Sequence, residues 1–514
     1  MNPQSFTTYN ASQTADVVLI GAGVMSATLG TLLHRLQPDW SIDVYERLPG
    51  VAEESSDPWN NAGTGHAALC ELNYTSELPD GTIDVRKAIN INEQFQVSRQ
   101  LWSHLVEDGT IGDPETFINS MPHMTFVQGA ADVDFLRRRY EALRAEPLFA
   151  AMEFSDDPAV IQRWAPLLIE QRKPGEPIAA TRDISGTDVD FGSLSRQLFR
   201  SLESSGVRIH LNQEIKSLAQ APDGTWRLRV HHRTSGKTKD VTARFVFVGA
   251  GGWALKVLQK SGIPEACGFA LLPISGQFLR TDNPALVARH QAKVYGKAPI
   301  GAPPMSMPHL DTRVVDGSAS ILFGPYAGSS PKFLKNGSIF DLPKSIRRHN
   351  IIPLIAMARD NIALVALLLN ALTATRKKKI DELRKFVPGG TARDWRIITA
   401  GQRAQIVKKD SKKGGVLQFG TEVVASGDGT IAGVLGASPG ASTAVPIMLD
   451  LLQRCFPDRY DKWQPALGEL IPTFGRRLSD NPELALQTMA TTAKTLRLTE
   501  IPRPLPGRPL GQVN

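Results

Sequence analysis

The stretch DVVLIGAGVMSATLGTLLHRLQPDWSIDVYE, residues 16–46, decides the fold of this chain. Its apolar run DVVLI predicts a short buried strand, GAG a tight turn, Ala27–Leu36 a helix and SIDVYE a second strand. A strand, a glycine turn, a helix and a second strand in this order are typical of a Rossmann-type βαβ unit. The sequence therefore predicts a dinucleotide-binding unit in this part of the chain.

Four residues of this unit have the chemistry that a dinucleotide requires. Gly21 permits the tight turn, and Gly23 lets backbone N–H groups approach a pyrophosphate at the N-terminus of the helix. Ser26 is small enough to keep the helix close to the strand. Glu46 ends the second strand, 25 residues after Gly21, where a carboxylate can accept hydrogen bonds from an adenosine ribose.

The residues that follow favour FAD over NAD. Glu46 leads into a loop rich in Asn, Gly and Ser, Val51–His66, whose backbone is suited to approaching a flat ring. An NAD domain normally continues with further alternating strands and helices. Two more glycine turns, 249–252 and 436–442, each follow a β-branched strand, and a helix beginning near residues 440–442 would direct its positive end at a flavin pyrimidine. The alternative is that these turns serve only packing.

Two histidines are candidates for a general base. His309 lies in MPHLDTRVVDG, and His66 ends the glycine-rich loop. A neutral imidazole is suited to removing a hydroxyl proton near neutral pH while hydride leaves the same carbon. We predict His309 as the base and His66 as the alternative, and a structural role stays open for each.

Three further side chains are candidates for a substrate site. Arg313 and Arg403 carry guanidinium groups that can each bind a carboxylate through two hydrogen bonds, or else form a surface or interdomain ion pair. Tyr326, in LFGPYAG, is either a pocket wall or a core residue. We predict Arg313, Tyr326 and Arg403 as substrate-binding residues.

Composition and cysteine spacing exclude several classes of protein. The chain has 514 residues, a net charge of +7 and three widely spaced cysteines, Cys70, Cys267 and Cys455. The cysteines have neither metal-ligand nor disulfide-like spacing, so we predict no metal site and a reducing, cytoplasmic location. No apolar run reaches the roughly 18 residues of a membrane-spanning helix, and no nucleic-acid motif surrounds the basic residues.

The wide spacing of the three glycine turns predicts one domain assembled from discontinuous segments. We predict a mixed α/β (α+β) fold with a Rossmann-like FAD-binding domain of residues 14–80, 180–262 and 395–460. An inserted, β-rich substrate domain comprises residues 81–179 and 263–394, including a helical segment at 341–387. Residues 461–514 are predicted to form C-terminal helices and a flexible tail.

Eight stretches of the chain resemble the malate:quinone oxidoreductase family, and they are spread along nearly its whole length. They are VVLIGAGVMSATLG, NNAGTGHAALCELNYT, GTDVDFGSL, PHLDTR, LFGPYAG, TAGQRAQIVKKD, GGVLQFGTE and LGASPGAS. The layout is more distantly similar to that of L-2-hydroxyglutarate dehydrogenases. The residues predicted to bind FAD, by the motifs and by this resemblance, are Gly21, Gly23, Ser26, Glu46, Gly65, His66, Gly251, Gly436, Gly440, Ala441 and Ser442.

The resemblance implies an activity and its partners. The family oxidises (S)-malate to oxaloacetate with FAD, by hydride transfer from C2 to flavin N5, and passes the electrons to a membrane quinone without NAD. That reaction feeds the tricarboxylic acid cycle and the respiratory chain. Two alternatives stay open, an FAD-linked 2-hydroxyglutarate dehydrogenase and a non-catalytic or tRNA-modifying flavoprotein.

A quinone acceptor implies a peripheral contact with the inner face of the cell membrane. We predict that residues 351–379 contribute to it, because an apolar run, Ile362–Leu369, precedes the basic cluster Arg376–Lys379. The alternative is that these leucines belong to an ordinary buried helix.

Overall fold

A computed structural model describes residues 14–297, 307–371, 375–436 and 440–501, which form a mixed α/β structure. The strands are β1 Ala15–Ile20, β2 Ile42–Tyr45, β3 Ser76–Glu77, β4 Ile83–Asp84, β5 Ile118–Ser120, β6 His123–Gln128, β7 Glu153–Ser155, β8 Ile178–Asp183, β9 Thr187–Val189, β10 Arg208–His210, β11 Gln213–Gln220, β12 Trp226–His232, β13 Thr238–Val248, β14 Phe269–Thr281, β15 Lys293–Tyr295, β16 His309–Val315, β17 Ser318–Ser329, β18 Arg396–Thr399, β19 Arg403–Asp410, β20 Gly414–Gln418, β21 Thr421–Ala425 and β22 Ile431–Gly436.

The helices follow the same chain order. They are α1 Val24–Leu36, α2 Arg86–Glu107, α3 Ala130–Arg144, α4 Pro158–Trp164, α5 Pro166–Ile169, α6 Phe191–Ser204, α7 Ala254–Ser261, α8 Pro284–Val287, α9 Asp341–Ser345, α10 Ile351–Asp360, α11 Ile362–Ala371, α12 Arg376–Phe386, α13 Ala444–Cys455, α14 Pro457–Leu470 and α15 Pro482–Thr495. Within the described ranges, no helix combines the length and apolar character needed to cross a membrane.

The first sheet contains the predicted βαβ unit. Its parallel strands lie in the order β10-β2-β1-β13-β22, with β21 antiparallel to β22 and the meander β12-β11 on the other half of β13. The apolar side chains of β1 are buried on both faces, because α1 and α13 cover one side and α7 covers the other. Ile20 is in register with Tyr45 and with Val248, so the ends of three strands meet at one edge.

The second sheet has ten strands and accounts for the β-rich part of the chain. Its order is β20-β19-β14-β17-β16-β15-β6-β8-β7, with β18 also on β14. The expected third segment of the FAD-binding domain, 395–460, is therefore divided. Strands β18, β19 and β20 belong to the second sheet, because the 13-residue β14 pairs with β18 along one part of its length and with β19 along another.

The segment 341–387 is helical as predicted and contains α9, α10, α11 and α12. Helices α10 and α11 cover one face of the second sheet. Met357 packs against Ala270 and Val407, and Leu364 and Leu368 pack against Ile274. Helix α10 therefore lies behind strands β14, β19 and β20, and helix α11 lies behind strand β17.

Candidate functional site

A long cleft lies at the edge where the parallel strands of the first sheet end. The turn at Gly21 forms its floor, with a φ of +96°. A Cβ atom at Gly21 would lie 2.7 Å from the carbonyl oxygen of Gly249, in the neighbouring turn. Both the backbone angle and the space therefore require glycine here, and the close approach exposes the N-terminus of α1 to the cleft.

An acidic side chain closes one end of this cleft. Glu46 follows β2, and its carboxylate accepts hydrogen bonds of 2.8 Å from the backbone N–H groups of Ala22 and Leu48. Burial raises the pKa of Glu46 above its usual range, although these hydrogen bonds act in the opposite direction. The predicted ribose-binding position is thus an acid fixed by the glycine turn itself.

Arg47 is a cleft residue that the sequence analysis missed. Its guanidinium lies 4.6 Å from the ring centroid of Trp253, which also lines the cleft. Nε and Nη1 of Arg47 are buried and have no hydrogen-bond partner within the described ranges. Buried donors without a partner in a cleft are suited to an anionic or polar ligand.

The other two glycine turns line the same cleft. Gly251 and Gly436 have φ angles of +53° and +104°. The turn residues 440–442 also line it. Helix α13 begins at Ala444, two residues later than the end of the predicted range, after a turn. All three glycine turns thus face one cavity, as an assembled nucleotide site requires.

Two predicted cofactor residues support the cleft without lining it. A Cβ atom at Gly65 would collide with the Thr187 and Phe95 side chains, and its N–H donates to the Thr187 carbonyl at 3.1 Å. Ser26 is fully buried under Gly249. Both prediction and structure require small residues here, but the reason is packing between backbone segments rather than contact with the cleft.

These residues fit FAD. The tight turn at Gly21 accepts a pyrophosphate against a helix N-terminus, and Glu46 has carboxylate oxygens for a ribose. Arg47 supplies donors that nothing else in the described structure uses. The loop Asn60–Thr64, and beyond it His66, form the other end of the cleft, where the flavin ring would lie.

A second cavity of about 700 Å³ joins this other end of the cleft. The residues common to both cavities are His66, Tyr295, Arg403 and Thr421. Helix α2, the β20–β21 turn and helix α13 form the outer walls of the second cavity. A small molecule bound there would therefore lie beside the part of the cleft assigned to the flavin.

His309 lines the second cavity and is paired with an acid. Its Nδ1 lies 2.5 Å from Oδ2 of Asp311, and its ring stacks on Tyr295 with centroids 4.5 Å apart. Burial acts to raise the pKa of Asp311, but the charges of His309 and Lys293 outweigh burial and lower it below its usual range. Asp311 is therefore an anion that leaves Nε2 of His309 available to the cavity.

His66 is paired in the same way at the junction of the two cavities. Its Nδ1 makes a short contact with Oε1 of the buried Glu71. Burial acts to raise the pKa of Glu71, yet the charge and hydrogen bond of His66 outweigh it and lower the pKa to about 2. Each histidine thus has an ionised carboxylate on one nitrogen.

Arg403 also faces the junction. Its guanidinium has no side-chain hydrogen bond or ion pair to any residue of the described ranges, and burial lowers its pKa below the usual range. An arginine without a protein partner in a cavity is suited to an anionic ligand. Among the three predicted substrate residues, Arg403 therefore lines the junction of the two cavities.

The other two predicted substrate residues lie elsewhere. Arg313 is fully buried and bonds Asp188, with Nη1 2.7 Å from Oδ1, and it also donates to the Pro58 carbonyl at 3.0 Å. Tyr326 donates its hydroxyl to the Lys379 carbonyl at 2.6 Å and packs in a hydrophobic cluster. Neither residue lines either cavity, because each forms its hydrogen bonds with other groups of the protein.

The sequence analysis did not predict the two carboxylates that pair with the histidines, Asp311 and Glu71. Asp311 is two residues after His309 on a strand, and alternate residues share a strand face, so that pair had a detectable signal. Glu71 is five residues after His66 in irregular structure, where no periodicity predicts the contact. Tyr295, which stacks on His309, comes from the separate strand β15.

Comparisons with known proteins extend over nearly the whole chain. The profile of a family described as malate:quinone oxidoreductase matches residues 13–498. A probable malate:quinone oxidoreductase from Leifsonia xyli subsp. xyli is 61% identical over 485 residues, covering 94% of this chain and 99% of that protein. Another, from Rhodococcus jostii, is 54% identical over 490 residues, covering 95% and 97%.

Solved structures share the fold at much lower identity. L-α-glycerophosphate oxidase from Mycoplasma pneumoniae, with FAD bound, superposes with a TM-score of 0.56 at 14% identity, covering 86% of this chain and 95% of that one. Glycine oxidase from Geobacillus kaustophilus gives 0.55 at 15%, with the same coverage. The predicted mixed α/β class with a Rossmann-like FAD-binding fold is thereby confirmed.

Proposed function

Because the chain belongs to the malate:quinone oxidoreductase family, we propose that it oxidises (S)-malate to oxaloacetate with FAD and passes the electrons to a quinone, independently of NAD. The observation that best supports this function is the set of side chains at the junction of the two cavities. There a histidine–carboxylate pair, a second such pair and an unpaired arginine surround the space beside the FAD cleft.

FAD would be held by the Gly21 turn, Glu46, Arg47 and the turns at Gly251 and Gly436. The chemistry that FAD supplies when bound is the acceptance of a hydride and the onward transfer of two electrons. The protein's own contribution is to hold malate beside that end of the cleft and to take the proton.

His309 is the residue we assign as general base. Asp311 holds Nδ1, which fixes the ring and leaves Nε2 to receive the C2 hydroxyl proton of malate. The anionic Asp311 then stabilises the imidazolium that forms, as the carboxylate of a catalytic triad does. Stacking on Tyr295 prevents the ring from turning away. His66, held by Glu71, polarises the same oxygen from the side of the cleft.

Substrate carboxylates need cations or donors, and only one of the two predicted arginines is available. Arg403 binds one carboxylate of malate at the junction. Tyr74 and Lys87, which line the same cavity, are the groups we assign to the other carboxylate in place of Arg313. A cavity about 700 Å³ in volume leaves room for malate to enter with bound water.

A quinone is lipid-soluble, so its reduction requires contact with a membrane. We propose a peripheral contact at the inner face of the cell membrane.

A substrate panel tests the proposed function. Purified protein with FAD should reduce a soluble dye with malate, much more slowly with lactate, which lacks the second carboxylate, and NAD should not replace the dye. Faster turnover with 2-hydroxyglutarate than with malate would instead support the related dehydrogenase. A non-catalytic or tRNA-modifying flavoprotein would reduce the dye with none of these acids.

A further inference from the structure

Exposed apolar side chains are concentrated in one short part of this chain. Ten large hydrophobic residues of the described ranges are exposed, and seven of them lie between residues 339 and 362. They are Ile339, Phe340, Ile346, Ile351, Ile352, Ile355 and Ile362. Scattered exposed hydrophobics are normal, but a concentration of this kind marks an interaction surface.

Helix α10 has two apolar faces. Its inner face, with Ala356 and Met357, packs on strands of the second sheet. Its outer face carries Ile351, Ile352 and Ile355, of which Ile352 and Ile355 are 65% and 64% exposed. Positions one turn apart lie on one side of a helix, and Ile362, at the start of α11, is 68% exposed. We name Ile351, Ile352, Ile355 and Ile362 the isoleucine face.

The isoleucine face lies at the beginning of the predicted segment 351–379 and shares only Ile362 with the apolar run Ile362–Leu369. Leu364 and Leu368 of α11 are buried against Ile274. Lys379 is also buried, with its ammonium on the side chain of Gln277. Leu364, Leu368 and Lys379 therefore cover the second sheet, whereas Ile362 and the basic residues 376–378 are exposed.

Basic residues surround the isoleucine face. Residues 342–359 contain no acid, and their exposed cations are Lys344, Arg347, Arg348 and Arg359, of which Arg359 pairs with the adjacent Asp360. The turn with Lys412 and Lys413 also adjoins α10, because a Cβ atom at Gly414 would lie 3.3 Å from that of Ala356. Apolar side chains within a basic border complement an anionic lipid surface.

The isoleucine face is also close to the FAD cleft. Leu364 and Leu368 form one cluster with Ile274 and Ala327, and the latter two line the cleft. A single layer of side chains thus separates helix α11 from the cleft.

We propose that the isoleucine face docks on an anionic lipid bilayer and that this contact delivers quinone to the FAD cleft beside α11. The second half of this inference rests on the proposed function. Docking itself depends only on the surface, so the two can fail separately.

Vesicle flotation of the FAD-loaded protein tests the docking. The variant Ile351→Gln/Ile352→Gln/Ile355→Gln should partition into phosphatidylglycerol-containing vesicles at least about tenfold less than wild type, since each isoleucine loses apolar burial. The control Leu78→Gln/Ile397→Gln changes two exposed hydrophobics elsewhere and should float like wild type. Equal flotation of the isoleucine variant and wild type would overturn the proposal.

A charge variant tests the same surface independently. Each basic residue near an anionic surface contributes about fivefold in affinity. Arg348→Glu/Lys412→Glu/Lys413→Glu should therefore lose on the order of a hundredfold at low salt. The control Lys173→Glu/Lys237→Glu/Lys462→Glu makes the same change in charge on exposed residues elsewhere and should lose much less. Equal losses would show that net charge, not this surface, governs binding and would contradict the proposal.

Activity assays separate this inference from the proposed function. Both surface variants should reduce a soluble dye with malate like wild type, and should reduce vesicle-embedded quinone at least about tenfold more slowly, in proportion to lost binding. No dye reduction by wild type would refute the proposed function and leave flotation to decide docking. A wild-type dimer that the isoleucine variant converts to monomer, with unchanged flotation, would assign the face to a second copy of the chain.

Discussion

The two ends of the joined cavities are built in different ways. At the nucleotide end, backbone turns make the surface, and Gly21 and Glu46 come from one 31-residue stretch. At the substrate end, side chains make the surface, and His66, His309 and Arg403 come from three distant segments. Local sequence therefore determines the first end, whereas the second exists only after β15, β16 and β19 have joined the same sheet.

The acids at the two ends show the same contrast. Glu46 is satisfied by backbone N–H groups, and burial raises its pKa. Glu71 accepts one backbone N–H, from Cys70, but is also paired with His66, and its pKa falls to about 2. A carboxylate held by backbone N–H groups can bind a ligand. A carboxylate paired with an imidazole can also stabilise the protonated form of that imidazole. Binding and proton transfer should therefore be separable by substitution.

The largest effect is expected at the nucleotide end. Gly21→Ala should abolish FAD binding, because alanine strains a φ of +96° and its Cβ atom would collide with the Gly249 carbonyl. The measurement is flavin content after purification. Gly468→Ala is the matched control, since its Cβ atom would meet nothing within 4 Å. A Gly21→Ala protein that retains its full FAD content would contradict the assignment of this turn to the FAD site.

The next largest effect is expected at the substrate end. His309→Ala should lower the rate of flavin reduction by malate about 10²- to 10⁴-fold, because the general base is lost. FAD content should stay at the wild-type level, because His309 does not line the FAD cleft. Stopped-flow absorbance measures the rate.

Two related variants distinguish the role of Asp311 and the role of His66 from that of His309. Asp311→Asn should retain FAD and lose less rate than His309→Ala, because the base remains but its anionic partner does not. His66→Ala should disturb the flavin spectrum, because His66 lines both cavities. A larger rate loss in His66→Ala with an undisturbed flavin would exchange the two histidine roles.

A smaller effect is expected at Arg403. Arg403→Ala should raise KM for malate about 10- to 100-fold, which is typical for loss of hydrogen bonds to a charged group. Arg396→Ala, on an exposed arginine of the neighbouring strand β18, is the control and should leave KM unchanged. Unchanged KM in Arg403→Ala would place the carboxylate site elsewhere in the cavity.

The smallest effect is expected at Tyr326. Tyr326→Phe removes only the hydrogen bond to the Lys379 carbonyl, outside the cavity. Unfolding free energy should fall by about 1 kcal/mol, and KM for malate should stay within error of the wild-type value. A large rise in KM would restore the sequence-based assignment of Tyr326 to the substrate site.

The sequence predicted what depends on local backbone. The βαβ unit, its acid and the three glycine turns lie as predicted, because strand, turn and helix patterns follow neighbouring residues. Arg313 lies outside both cavities because it pairs with Asp188, which is 125 positions away in sequence and was not predictable from local pattern. The division of 395–460 between two sheets was also missed, since strand patterns do not reveal pairing partners.

Oxidation of malate beside the flavin can be measured directly by the anaerobic absorbance of the protein-bound flavin after malate is added. If the substrate cavity opens onto the flavin as described, malate should bleach the flavin within the turnover time without quinone, dye or NAD. His309→Ala, with the same FAD content, should bleach far more slowly. A flavin that keeps its colour with saturating malate in the wild-type protein would show that malate is not oxidised in the cavity beside the flavin.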